Sequence, residues 1–70
     1  MKNTMGKKER LASLNGNVVV RQDAREVVFG KLSKVSPRTW AVNDYGVWFL
    51  FSIDEVDFTQ GNLIMLKSTG

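Results

Sequence analysis

The sequence predicts an all-β fold: a small, strongly bent five-stranded barrel preceded by one short helix. Three observations point there. Only one stretch, Lys7 to Leu14, spaces its apolar residues as a helix would. Everything after it is a series of β-favouring runs separated by short turn signals. The longest run, Arg25 to Val35, has Gly30 inside it, where a strand can bend as sharply as a small barrel requires.

The elements follow in order. Met1 to Gly6 is polar and is expected to be frayed. In Lys7 to Leu14, Leu11 and Leu14 share one face while Lys7, Lys8, Glu9 and Arg10 stay wet. Two turns of helix do not hold themselves in water, so this piece must dock on the rest. Asn15-Gly16 stops it. Asn17 to Gln22 is β-branched at Val18, Val19 and Val20, and Asp23-Ala24 is a tight turn into Arg25 to Val35. Ser36-Pro37-Arg38 breaks the chain, Thr39 to Val42 is a short strand, and Asn43-Asp44-Tyr45-Gly46 turns it into Val47 to Ile53. Asp54 to Thr59 leaves that strand through one tight turn. Gln60-Gly61 turns again, and Asn62 to Lys67 is the last strand. The expected organisation is one domain over residues 7–67, with 1–6 a disordered N-terminus and 68–70 a tail.

Val47-Trp48-Phe49-Leu50-Phe51 is too apolar for one small core. Strand neighbours alternate between faces, so Val47, Phe49 and Phe51 point one way and Trp48 and Leu50 the other. Leu63-Ile64-Met65-Leu66 has the same two-sided character. A second copy of the chain is the economical cover, which makes Trp48, Leu50, Ile64 and Leu66 the expected oligomer interface; both faces are apolar, so the reverse parity stays open. Size agrees. A single core in 70 residues is marginal, and with no cysteine and no histidine there are no disulfides and almost no zinc or transition-metal arrangements. No metal or other cofactor is expected.

Catalysis has little to work with. Histidine is absent as a general base, the serines lack an activating partner, and no glycine loop is built to cradle phosphate. Asp54, Glu55 and Asp57 form the one carboxylate cluster, read as a solvated turn. The expectation is a protein that is not an enzyme. Lysines near the N-terminus precede no apolar h-region, and no stretch reaches membrane-spanning length. A soluble, cytoplasmic protein without a membrane partner is expected.

The net charge of +3 is unevenly spread. Residues 1–38 hold nine of the ten basic residues and balance at +6, while residues 39–70 hold only Lys67 among basic residues and balance at −3. One basic face suited to a polyanion would follow; Lys2, Lys7, Lys8 and Arg10 lie on or before the helix. Among the aromatics, Trp40 reads as core, Trp48 as interface, and Tyr45, beside Gly46 in a turn, as exposed.

This order of pieces resembles the Sm-like (LSm) family, including its bacterial ring-forming branch. Leu11, Leu14 and Gly16 resemble the helix face and the start of the first strand. Val18-Val19-Val20-Arg21, Asp23-Ala24-Arg25, Val28-Phe29-Gly30-Lys31-Leu32 and Trp40-Ala41-Val42-Asn43-Asp44 resemble the first family motif, with Ala24 where glycine is common. Gln60-Gly61-Asn62-Leu63-Ile64 resembles the second, and Phe51 to Val56 the end of the fourth strand. The resemblance implies an Sm-like (SH3-like) barrel, joined by pairing of the fourth strand of one subunit with the fifth of the next. It implies a homo-oligomeric ring of five to seven subunits with single-stranded RNA as partner.

The RNA positions depart from the family. Ser36 and Thr39 stand where an acidic residue and an asparagine are usual, with Arg38 between them, and Gln60 stands where arginine is usual. The expected RNA-binding residues are Arg38, to stack on a base, Gln60, to bond a base edge, Lys31 and Lys34, to meet phosphate, and Ser36 and Thr39 as minor polar partners. Two other expectations stand beside this one. The first is a structural or protein-interaction ring that has lost RNA, for which a virus-encoded relative would be a fitting source. The second is a monomeric SH3-like adaptor.

Overall fold

The computed structural model describes residues 6–14 and 16–69. The elements are α1 (Lys7–Ser13), β1 (Asn17–Gln22), β2 (Arg25–Ser36), β3 (Thr39–Asp44), β4 (Val47–Ser52), a 3-10 turn (Ile53–Glu55), β5 (Val56–Gln60) and β6 (Leu63–Leu66). Among the described residues the chain is all-β apart from its short helices, with six strands where five were expected. The added one is β5, within the segment read as leaving the fourth strand. Asp54, Glu55 and Asp57 masked it, because acidic residues depress the strand signal.

All six strands lie in one sheet in the order β4-β3-β2-β1-β6-β5. No pairing joins β4 to β5, so the sheet is open where a closed barrel was expected. It nevertheless curls round a shared interior. Val18 and Val20 of β1, Val28 of β2, Trp40 and Val42 of β3 and Phe51 of β4 belong to one buried cluster. Leu11 of α1 completes that cluster with no exposed surface, and the helix docks on β5. A short helix that cannot stand alone is thus held by one buried leucine.

The middle of β2 organises the curl. Its first half pairs with β1 and its second with β3, and Lys31 belongs to both, opposite Asn17 and opposite Asn43. A Cβ on the neighbouring Gly30 would lie 2.0 Å from the Asn43 carbonyl oxygen. Only glycine lets the strands approach this closely at the crossover.

The β1–β2 turn places Asp23 at φ 53° and Ala24 at φ 65°. Left-handed backbone costs a non-glycine residue about 1–2 kcal/mol, and glycine's extra unfolded freedom returns about half of that. Ala24→Gly should therefore stabilise the chain by roughly 0.5–1 kcal/mol and raise Tm by a few degrees. An unchanged or lower Tm in a thermal melt would contradict the turn geometry.

The same turn holds part of the C-terminal tail. Thr69 donates through its amide (3.3 Å) and hydroxyl (2.7 Å) to the Asp23 carboxylate. Hydrogen bonds from Thr69 and Ser68 hold that carboxyl below its ordinary pKa. Gln22 Nε2 donates to the Lys67 carbonyl at 2.9 Å, adding a second tie. Residues 1–5, where a frayed end was expected, lie outside the described residues. Among the described residues no helix is long and apolar enough to cross a membrane.

Candidate nucleic-acid interface

The β2–β3 connection is built to expose one arginine. Ser36 and Thr39 pair across the turn, leaving Pro37 and Arg38 at its tip. The Arg38 carbonyl accepts from the Ile53 amide at 2.8 Å, which ties the tip to the end of β4. The guanidinium donates to the Asp54 carboxylate, with both side chains largely exposed. A surface pair of this kind contributes little, about 0–1 kcal/mol, so a phosphate can compete with it. Lys34 Nζ sits 5.9 Å from the centroid of the Trp40 ring. Trp40 itself is core at 5% exposure, and among the described residues its Nε1 has no hydrogen-bond partner.

The structure joins Arg38 to the helix. An open cleft of about 310 Å³ is lined by Gly6, Lys7, Lys8, Glu9, Arg38, Ile53, Asp54 and Lys67. Four cations face two carboxylates there. The sequence pointed to the helix lysines through their place on the helix and to Arg38 through the family resemblance, each separately. Lys67 was missed, because its proximity comes from a bond distant in sequence: its amide donates to the Glu55 carbonyl at 2.8 Å. Arg10 is exposed on α1 but does not line this cleft, and Lys2 lies outside the described residues.

The carboxylate cluster is occupied locally. Glu55 Oε1 accepts from the Ser52 amide at 2.7 Å, and Ser52 Oγ accepts from the Asp54 amide at 3.0 Å, capping the 3-10 turn. Asp54 also pairs with Arg38.

Gln60 and Lys31 are placed elsewhere. Paired strand residues share a face of the sheet. Gln60 lies opposite Leu63, Leu63 opposite Val19, and Val19 opposite Phe29. Lys31, two residues beyond Phe29, is on that outer face as well. The six expected RNA residues therefore divide. Lys34, Ser36, Arg38 and Thr39 sit around the β2–β3 turn, and Gln60 and Lys31 on the outer face.

A second cleft, of about 190 Å³, opens beside Lys31, lined also by Asn17, Phe29, Gly30, Asn43 and Tyr45. Tyr45 is fully exposed and has φ 52°. Asn43 Oδ1 accepts from the Gly46 amide at 2.8 Å and fixes this turn.

The apolar strands resolve unequally. In β4, Phe51 is buried, Phe49 packs on the core, and Trp48 and Leu50 are 54% and 55% exposed on the other face. Ile64 and Leu66, expected at an interface, are instead in the chain's own core at 0% and 4% exposure. β6 is an interior strand between β1 and β5, so its inward residues are covered within one subunit. The opposite edge strand is β5, and its exposed apolar side chain is Phe58. The chain matches no protein-family model, no curated protein and no solved structure.

Proposed function

We propose that this chain is a non-catalytic, Sm-like subunit that assembles into a homo-oligomeric ring and binds single-stranded RNA on a basic face. The observation that carries the reading is the pair of free sheet edges. β4 and β5 end the sheet, and both carry exposed apolar side chains, Val47, Trp48 and Leu50 on one and Phe58 on the other. Exposed apolar edges are templates for further strand pairing. Pairing β4 of one subunit with β5 of the next is head-to-tail, and such contacts close into a ring when the rotation permits. On this reading the β5–β6 hairpin stands where an Sm-like barrel has its last strand. Ring closure also repeats the cleft of Lys7, Lys8, Arg38 and Lys67, so modest local charge becomes a continuous belt for phosphates.

The second reading is a structural or protein-interaction ring without RNA. One observation favours it: the guanidinium of Arg38 is already paired with Asp54.

Native mass spectrometry with and without short oligoribonucleotides separates the two. The proposal expects five to seven copies of the 7.9 kDa chain and an RNA adduct that fades as salt rises. Arg38→Ala should leave the ring mass unchanged and weaken RNA binding roughly fivefold to tenfold, with the salt slope reduced by about one ion. A ring that retains no homopolymer at low salt supports the structural class. A monomer at high concentration removes the ring and leaves the adaptor reading.

A further inference from the structure

We infer that the outer face holds a second site, at the β3–β4 turn, that takes one nucleotide of a single-stranded RNA by stacking its base on Tyr45. The inference rests on the RNA reading above but not on the cleft around Arg38. The two turns lie at opposite ends of β3, roughly 20 Å apart at the rise of a six-residue strand.

The first support is a residue in the wrong place for stability alone. Tyr45 and Gly46 form a two-residue hairpin turn between the paired Asp44 and Val47. Its first position needs φ above zero, which asparagine, aspartate or glycine supplies most readily. A tyrosine there is strained at φ 52°. Tyr45 is fully exposed, so no packing among the described residues offsets the strain. Strain of this kind gathers at ligand sites.

The second support is the cleft itself. Phe29 offers another ring, 40% exposed on the same outer face. Lys31 lies between Asn17 and Asn43 in register and has no ion pair among the described residues. The Asn43 amide is oriented by its bond to the Gly46 amide, which engages the oxygen and leaves the NH₂ group to donate. Two aromatic faces, one unpaired ammonium and oriented amide donors are what a base and its phosphate require together. A space of about 190 Å³ has room for one ring system.

The test uses Tyr45→Asn, because asparagine tolerates the left-handed turn and should keep or raise Tm. Short oligo(A) and oligo(U) are titrated into wild type, Tyr45→Asn, Tyr45→Phe and the Lys7→Ala/Lys8→Ala/Arg38→Ala variant. The expected result is a roughly tenfold to hundredfold loss of affinity for Tyr45→Asn and near wild-type binding for Tyr45→Phe, which keeps the ring. Amide shifts on adding the oligonucleotide should centre on Phe29, Lys31, Tyr45 and Gly46. Full affinity in Tyr45→Asn, with binding lost only in the triple variant, overturns this site and leaves the basic face standing. Loss in Tyr45→Asn with the triple variant intact supports this site and removes the basic face. No binding by wild type at low salt overturns both.

Discussion

Gly30→Ala should destabilise the chain by about 3 kcal/mol or more, a large part of the few kcal/mol that hold a domain of this size together. The added methyl would stand 2.0 Å from the Asn43 carbonyl oxygen and 2.7 Å from its carbon. A clash with a flexible side chain relaxes by rotation. This one is with backbone in the paired strand, so β2 and β3 must separate. Lys31 and Leu32 are paired with Asn43 and Val42 there, and Leu32 and Val42 pack against or within the core. Separation would therefore open the interior as well as the ladder. A urea titration followed by circular dichroism measures it. Gly16→Ala is a useful contrast, since a Cβ there meets nothing within 4 Å although its φ is +77°. Its cost should be the left-handed strain alone, about 1–2 kcal/mol. A Gly30→Ala midpoint equal to wild type would mean that the strands do not cross so closely.

Glycine inside a β-branched run is a local signal, which is why the crossover in β2 could be read from sequence. The alternation in Val47 to Phe51 was legible for the same reason: a period of two separates the two faces, while which of them is core followed only from the packing. Tyr45 could be placed at the surface from the turn residues around it. What failed depended on long-range pairing. Ile64 and Leu66 look as apolar as Trp48 and Leu50, and only the insertion of β6 between β1 and β5 makes them interior. β5 itself was hidden because its neighbouring carboxylates serve the 3-10 turn and Arg38 rather than solvent alone. Arg38, the Lys7–Lys8 pair and Lys67 come from three separate parts of the chain, and only the docking of α1 and the end of β6 brings them to one cleft. The division of Gln60 and Lys31 from Arg38 likewise follows from sheet order, which one sequence does not contain.

In the proposed ring, the paired substitution Trp48→Asp/Leu50→Asp should abolish assembly while leaving a folded subunit. Both side chains lie on the outer face of β4, more than half exposed, so charge there meets water in the single chain. In a β4–β5 contact the same carboxylates would be desolvated against apolar surface, at a cost of several kcal/mol each. Phe49→Asp is the contrast: Phe49 packs on the core, and its replacement should damage the subunit itself. Phe58→Asp tests the other edge, because Phe58 is the exposed apolar residue of β5. Head-to-tail pairing makes a sharper demand than either variant alone. Each has lost one edge and kept the other, so neither should associate with itself. Mixed, they have one intact complementary pair of edges, and should form a one-to-one heterodimer that goes no further. Two-fold β4–β4 pairing gives a different pattern, in which the Phe58→Asp variant still dimerises by itself and mixing adds nothing. Light scattering on the three samples distinguishes these cases, and self-association of both variants would remove β4 and β5 as the assembling edges.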